Sequence, residues 1–151
     1  MNPQPMIVTP EDHSSSLKVV GEEITVLASG TETGSYEIFL QEGPESVGPP
    51  PHSHPGDEAF YVLEGTVEFG VGESVRTVGA GTLVQLPAGT VHWFRLGAGG
   101  ARMLSVTSRE AASAMFADID RTIAPGDPDI GELVGVITSH GVTVLPPPSH
   151  S

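Results

Sequence analysis

Three histidines and one glutamate are the residues of this chain whose types and spacing could do chemistry. His52, His54 and Glu58 lie in one stretch, and His92 follows in a second segment that reads PAGTVHW. Residues two apart on a strand project to the same face, so His52 and His54 can converge on one point. Glu58 follows a Pro-Gly turn signal and can reach that point, and His92 completes the set if its strand lies beside theirs. The sequence therefore predicts that these four residues hold one metal ion.

The predicted donors, imidazole nitrogens and one carboxylate, suit a first-row transition metal better than Ca²⁺ or Mg²⁺. Around a divalent ion they would leave a net charge of about +1 and, in an octahedral arrangement, roughly two open positions. Such a site can bind an enolate-like anion, polarise a carbonyl group or hold O₂ beside a substrate. Glu58 is the ligand that could also take up a proton, so it is the candidate catalytic base.

Short β-rich runs separated by glycine and proline make up the central part of the chain, which has 19 Gly and 14 Pro in all. Residues 29–34, which read SGTETG, predict a turn. The runs on either side of Glu64-Gly65 predict a tight turn with an antiparallel return, and the glycine-rich residues 97–100 lead into a further strand over residues 101–107. The whole pattern predicts roughly eight to ten strands in an all-β sandwich or barrel.

Helical periodicity appears only after these strands. A capping box at residues 107–110 predicts the start of one amphipathic helix, and Asp127 is the predicted N-cap of a second one that stops at Gly141. The segment that follows predicts a short edge strand ended by prolines. The apolar positions are Ala112, Met115, Phe116 and Ile119 in the first helix and Ile130, Leu133, Val134 and Ile137 in the second.

A single domain is expected from the length of 151 residues. We predict a flexible N-terminal arm over residues 1–16, a β-barrel over residues 17–107, and a C-terminal helical extension and tail over residues 108–151. The sequence leaves open whether the helices cover the barrel mouth or pack on its outside. His13, His140 and His150 lie away from the four candidate ligands, and we interpret them as surface residues.

Composition excludes several classes of function. The formal net charge of -13 repels phosphate backbones, so nucleic acid is not an expected partner. The absence of Cys excludes disulfides, thiolate metal sites and Cys nucleophiles. The N-terminal residues lack the pattern of a signal peptide, and no apolar run has the length of a membrane span, so neither export nor membrane insertion is expected. A cytoplasmic protein is the default expectation.

The two ligand-bearing segments resemble the two motifs of the cupin superfamily. The first reads His52-x-His54-x(3)-Glu58-x(6)-Gly65 and the second Gly81-x(5)-Pro87-x-Gly89-x(2)-His92, and the resemblance spans about residues 19–107. It implies a jelly-roll β-barrel, or double-stranded β-helix, with one divalent Fe, Ni, Mn, Co, Cu or Zn ion inside near one mouth. Two positions depart from the pattern, with Ser46 in place of a glycine and Leu96 in place of an asparagine.

An apolar pocket is expected beside the metal. Phe60 and Val62 are in phase with Glu58, and Phe94 and Leu96 are in phase with His92. Such a lining favours an aromatic or hydrophobic substrate, although the same residues could simply be barrel core. Gln85 and Tyr36 are the polar candidates for orienting a ligand.

The run PPPHSHPGDEAFYVLEG, with the C-terminal helices and tail, is similar to bacterial single-domain quercetin 2,3-dioxygenase-like cupins. This similarity implies a dioxygenase that acts on a small aromatic or enolisable substrate, with Glu58 as the base. A metal-dependent isomerase or lyase and a non-catalytic binding module with a bound metal remain alternatives. Cupin barrels commonly pair through sheet edges, so a homodimer is also expected.

Overall fold

Nine strands and three helices make up the part of the chain that the structure, a computed structural model, describes: residues 2–108, 112–124 and 128–145. The strands are β1 (Leu17–Val19), β2 (Glu22–Ala28), β3 (Tyr36–Gly43), β4 (His52–Ser53), β5 (Glu58–Val71), β6 (Ser74–Gly79), β7 (Leu83–Leu86), β8 (His92–Ser108) and β9 (Thr143–Val144). The helices are α1 (Gly30–Thr33), α2 (Ala112–Thr122) and α3 (Ile130–Ser139).

The strands form one curled sheet. Its order is β1-β2-β3-β8-β4-β9, while β5 pairs with β6, β7 and β8. Each pair is antiparallel, and the sheet encloses an interior to which alternate residues of each strand point. The predicted all-β jelly-roll class with C-terminal helices is confirmed.

β5 and β8 are the longest strands and pair with each other along most of their length. The tight turn predicted at Glu64-Gly65 is wrong, because β5 continues through it and Gly65 stays paired with Ala101 of β8. Residues 97–100 lie between the paired residues Leu96 and Ala101, where the register of the two strands shifts. Gly65 has a φ of +78°, and a Cβ there would lie 2.3 Å from the carbonyl oxygen of Gly100. The glycines therefore let the two strands bend together at close approach and do not reverse the chain.

Apolar side chains from β5 and β8, with Leu86 of β7, fill one end of the interior. They alternate along both strands with residues that point outward, as expected for a sheet with one buried face. Most of this cluster is 0–3 % exposed. We call it the filled half, and its members are Phe60, Val62, Val67, Phe69, Leu86, Phe94, Leu96, Ala101 and Met103.

α2 and α3 pack against the other end of the sheet. Ile24 of β2 and Phe39 of β3 form a second cluster with Ile119 of α2, and the rings of Phe39 and Phe116 meet edge to face at 5.1 Å. Apolar packing of this kind is what stabilises an amphipathic helix on a sheet.

Glu37 ties α2 to the sheet. Its buried carboxylate accepts hydrogen bonds from the Gly30 N–H at 2.8 Å and from the N–H and hydroxyl group of Ser113 at 2.9 and 2.5 Å. These bonds satisfy the charge and link the starts of two helices, which fixes where α2 lies over the barrel.

Two helix starts differ from the predictions. The N-cap of α3 is Asp129, whose side chain accepts from the Glu132 N–H, so the prediction of Asp127 is wrong. Asp127 itself, and Arg109 and Glu110 of the predicted capping box, lie outside the described residues.

The turn predicted at residues 29–34 is the short helix α1. Ser29 and Glu32 form a reciprocal capping box, and Gly34 ends the helix with a φ of +77°.

Residues 2–15 are exposed and contain one 3-10 turn, Pro10–Asp12. No helix within the described residues is long and apolar enough to cross a membrane.

Candidate metal centre

β4 and β8 bring two of the predicted ligands side by side. His52 of β4 is the cross-strand partner of His92, the first residue of β8. β9 pairs with the other edge of β4, with Val144 opposite His52, and the Leu145 N–H donates to the Pro51 carbonyl at 2.9 Å. The predicted C-terminal strand is thus confirmed, and it holds His52 between two strands.

Backbone contacts between two turns position His54 and Glu58. The Gly89 N–H donates to the His54 carbonyl at 2.9 Å, which joins the two ligand-bearing segments. Asp57, immediately before Glu58, accepts a hydrogen bond from the Ala88 N–H at 2.8 Å through its carboxylate. The Pro-Ala-Gly turn therefore fixes the start of β5, where Glu58 lies.

The three predicted histidine ligands lie together, and Glu58 lies beside two of them. One nitrogen from each of His52, His54 and His92 lies within 4.8 Å of the other two. Glu58 Oε1 lies 3.1 Å from Nε2 of His92 and 3.4 Å from Nε2 of His54. His92 is 2 % exposed, so this group of side chains faces the interior.

The ring orientations suit metal ligation. Nδ1 of His52 lies 2.8 Å from the Pro50 carbonyl oxygen, and Nδ1 of His92 lies 2.9 Å from that of Thr90. A carbonyl oxygen only accepts, so Nδ1 carries the proton and Nε2 keeps its lone pair in each neutral ring. Metal-bound histidines commonly make this second hydrogen bond. Nε2 of His92 then faces the Glu58 carboxylate, and two acceptors at 3.1 Å need a cation or a proton between them.

Without a metal, a proton takes the place of the cation between these groups. Burial raises the pKa of Glu58, but hydrogen bonds from His54 and His92, and the charges that these rings carry when Nε2 is protonated, outweigh it and hold the pKa at about 2. Burial and then the charge of His92 lower the pKa of His52 to about 4. An ionised carboxylate and a neutral imidazole are the forms that bind metal. The role of Glu58 as a base stays a prediction, and so low a pKa makes it a weak proton acceptor.

These residues fit a divalent transition metal. His52, His54 and His92 could hold it, and the role of Glu58 as a fourth ligand stays a prediction. This donor set does not select one metal among Fe, Ni, Mn, Co, Cu and Zn.

A cavity of about 240 Å³ opens beside the candidate ligands. His52, His54 and Glu58 form part of its wall, and most of the rest is apolar. Side chains from both C-terminal helices line it, so α2 and α3 cover the barrel mouth and do not pack elsewhere on the outside. The apolar lining includes Val19, Phe60, Phe94 and Val144 from the sheet, Val20 from the turn after β1, and Ala112, Met115, Phe116, Ile119, Leu133 and Ile137 from the helices.

The predicted lining is only partly correct. Phe60 and Phe94 line the cavity, whereas Val62 and Leu96 lie deeper, in the filled half. Gln85 does not line it, because Leu83 and Gln85 are the exposed residues of β7 and the alternate positions face inward.

Two further expectations need correction. Tyr36, the other polar candidate, is 45 % exposed and does not line the cavity. His140, which we interpreted as a surface residue, is half-buried and lines the cavity, and its Nε2 lies 2.6 Å from Asp118 Oδ2 of α2. His150 lies outside the described residues.

Three polar residues of the cavity wall were missed: Glu22, Gln41 and Thr107. Gln41 donates to the Ser105 hydroxyl at 2.7 Å. Glu22 Oε1 and Thr107 Oγ1 are the two buried side-chain oxygens without a hydrogen-bond partner among the residues that the structure describes. Burial and then the charge of Glu58 raise the pKa of Glu22 to about 8. Glu22 is two residues before the apolar Ile24, and residues two apart on a strand face the same side. This alternation is the sequence signal that could have placed Glu22 in the interior.

The family of the chain follows from this fold and site. Residues 39–107 match the family model described as Cupin domain. No curated protein sequence matches this chain. The chain carries a cupin domain, and its fold is that of the cupins.

Solved structures with this fold include KdgF from Halomonas sp., which is 16% identical with a TM-score of 0.66, covering 74% of this chain and 99% of that chain. An RmlC-like cupin from Shewanella frigidimarina is 16% identical with a TM-score of 0.63, covering 72% and 94%. The polyketide cyclase RemF from Streptomyces resistomycificus is 22% identical with a TM-score of 0.60, covering 71% and 81%. At these identities the similarity shows the fold, and the neighbours include enzymes of different reaction classes.

Proposed function

We propose that this protein is a metal-dependent enzyme, a dioxygenase that acts on a small aromatic or enolisable compound. The observation that carries the proposal is the cluster of His52, His54 and His92, with Glu58 beside it, next to a largely apolar cavity. A bound first-row metal would supply Lewis acidity toward an oxygen of the substrate. The resemblance to quercetin 2,3-dioxygenase-like cupins supports the reaction class.

The residues of the chain have separate tasks in this proposal. The rings of His52 and His92 are oriented by backbone carbonyls, so they hold their Nε2 lone pairs ready before any ion binds. Phe60 and Phe94 contact the apolar part of the substrate, and α2 and α3 exclude water from it. The volume of about 240 Å³ is below the range of about 300–1,000 Å³ of many ligand pockets, which favours a single-ring or short-chain substrate over a three-ring flavonol.

The test is oxygen consumption by protein of known metal content. Protein loaded anaerobically with Fe(II), Ni(II), Mn(II) or Co(II) is mixed with O₂ and a panel of single-ring phenols, diketones and flavonols. We expect O₂ uptake matched by substrate loss with at least one metal. His92→Ala is the control without a complete ligand set. An absence of turnover with every metal and compound would exclude the proposal for these substrates.

A metal-dependent isomerase or lyase is the second candidate, and Glu22 is the observation that favours it. A carboxyl group with a pKa of about 8 keeps its proton at neutral pH and can act as a general acid in the same cavity as Glu58. This reaction class predicts substrate loss without O₂ uptake, so the same experiment separates the two. A non-catalytic binding module with a bound metal predicts ligand binding without loss of the ligand, so the same experiment separates it from both enzymes.

A homodimer is proposed as well. Tyr61 of β5 and Leu83 of β7 are directly paired and are both exposed, which leaves an apolar area on the outer face of the sheet. Light scattering that gives the mass of one chain would contradict this proposal.

A further inference from the structure

Glu22 lies in the cavity wall by the geometry of its strand. It is the first residue of β2 and follows a tight turn, since its cross-strand partner is Val19. Alternation along β2 turns Glu22 and Ile24 inward and Glu23 outward, where Glu23 forms an ion pair with Lys18. Glu22 is 7 % exposed and is part of the lining of the cavity that contains the candidate ligands.

The Glu22 side chain has no partner that would explain its burial. Its Oε1 atom accepts no hydrogen bond from the residues that the structure describes, and Glu22 is absent from the ion pairs formed among them. Glu37 shows the contrast, because its equally buried carboxylate accepts three hydrogen bonds. A buried polar atom without a partner opposes folding, and an apolar side chain would suit a wall formed with Phe94 and Ile119 better. Glu22 therefore does not serve stability.

Thr107 provides a second hydrogen-bonding point in the same wall. It is 2 % exposed, its hydroxyl oxygen is also unpaired, and it is the cross-strand partner of Glu58. The polar atoms left open in the cavity thus lie on β2 and beside the candidate metal centre on β8. A ligand with an apolar body and an oxygen function could pair with them.

We propose that Glu22 accepts a hydrogen bond from a hydroxyl group of the substrate, so that this cavity takes small apolar molecules that carry a hydroxyl group. A carboxylic acid and a carboxylate both accept hydrogen bonds, so this contact forms in either protonation state. Thr107 contributes a second, weaker contact. The inference rests on the proposed function in that the ligand is the substrate of the same cavity, but its test measures binding and not turnover.

The probes are phenol and toluene, which have the same number of non-hydrogen atoms and differ in the hydroxyl group. Their affinities for the full chain, loaded with redox-inert Zn²⁺, are measured by calorimetry or by chemical-shift titration. We expect the wild type to bind phenol about 10-fold more tightly than toluene, the size of one hydrogen bond to a buried group. In Glu22→Leu this preference should fall to about 2-fold or less, with toluene affinity retained. Thr107→Val should lose a smaller part of the preference.

Glu23→Leu is the matched control, since it changes the neighbouring residue on the outer face and should keep the preference. Glu22→Leu should melt at the same temperature as the wild type or higher. Equal affinities in the wild type, or a preference that persists in Glu22→Leu, would overturn the proposal. So would a lower melting temperature, because Glu22 would then have a structural partner. A protein without any enzymatic turnover can still pass this test, so its failure is distinct from failure of the proposed function.

Discussion

The two ends of the barrel interior differ in content, although β5 and β8 contribute residues to both of them. The filled half contains only apolar side chains, such as Val62, Phe69 and Met103. The other end, which we call the cavity half, contains ionisable and polar groups around open space under the C-terminal helices. Its polar lining is formed by His52, His54, Glu58, Glu22, Gln41 and Thr107. One alternating pattern of inward positions therefore produces a packed core at one end and a site at the other.

The comparison shows where stability and chemistry are separated in this domain. Close packing stabilises the filled half, and its residues have no polar atoms to satisfy. The cavity half has fewer packing contacts and buries polar atoms. The helices α2 and α3 cover it, and the hydrogen bonds of Glu37 hold α2 in place. Substitutions should affect stability mainly at one end and ligand or metal binding mainly at the other.

The largest expected effect is on metal binding. His92→Ala removes a buried ligand and should weaken the affinity for a divalent metal by on the order of 100-fold or more, given that even outer contacts of such sites are worth about 10- to 100-fold. Metal competition with a chromogenic chelator measures it. His13→Ala, a histidine outside the site, is the control. Unchanged metal affinity in His92→Ala would contradict the assignment of a metal centre to these histidines.

Two methionines test the stability side of the comparison. Met103 is 0 % exposed in the filled half, so Met103→Ala should lower the free energy of unfolding by about 2–5 kcal/mol. Met115 borders the cavity, and Met115→Ala should cost about 1 kcal/mol or less, because it enlarges space that already exists. Urea denaturation measures the free energy of unfolding of both variants. Equal losses of this free energy would contradict the proposed difference between the two ends.

Glu22 should make stability depend on pH. The unfolded carboxyl ionises near pH 4.5 and the folded one near pH 8, so unfolding releases a proton between these values and stability falls as the pH rises. Relative to Glu22→Gln, the wild type should lose on the order of a few kcal/mol across this window. Denaturation of both proteins from pH 4 to about pH 9 measures it. If the free energy of unfolding changed with pH in the same way in both proteins, the pKa of Glu22 would not be raised, and its carboxylate would have to contact water or a cation.

Glu37→Gln should loosen the cover. The amide keeps one acceptor oxygen but brings an NH₂ group toward donors, so we expect a loss of about 1.5–3 kcal/mol in the free energy of unfolding. Hydrogen exchange should show the increase in α2 more than in β5. Glu64→Gln, at an exposed position of β5, is the control with an expected change within about 0.5 kcal/mol. A uniform increase over both elements would show that α2 is not held by Glu37 alone.

The smallest expected effect is a gain. Ser46 has a φ of +72°, which is the left-handed region that costs an L-residue about 1–2 kcal/mol. Ser46→Gly should raise the free energy of unfolding by about 0.5–1 kcal/mol, since part of the relief is offset by the entropy of glycine in the unfolded chain. Thermal melting measures it. Ser74→Gly in β6 should instead destabilise, and a loss in both variants would contradict the explanation.

The ligands of the site could be predicted because their spacing is local and each lies at a turn. The bends at Gly65 and at residues 97–100 could not, since a glycine signal is the same for a reversal and for a bulge, and only the partner strand decides between them. The sequence also did not decide whether the C-terminal helices cover the barrel mouth, because their position depends on long-range packing of Ile119 against Ile24 and Phe39. Ser46 shows the opposite case, in which a departure from the family pattern marks a strained backbone position.

The short strand β4 has a consequence for the order in which the molecule assembles. Two residues cannot form a stable strand alone, and His52 is held by His92 on one side and by Val144 on the other. Its position is therefore completed only when the C-terminal strand docks, a contact that is distant in sequence and slow to form. The filled half can collapse before this event. We expect metal uptake to follow docking of β9, so that ion binding reports a finished fold and does not start it.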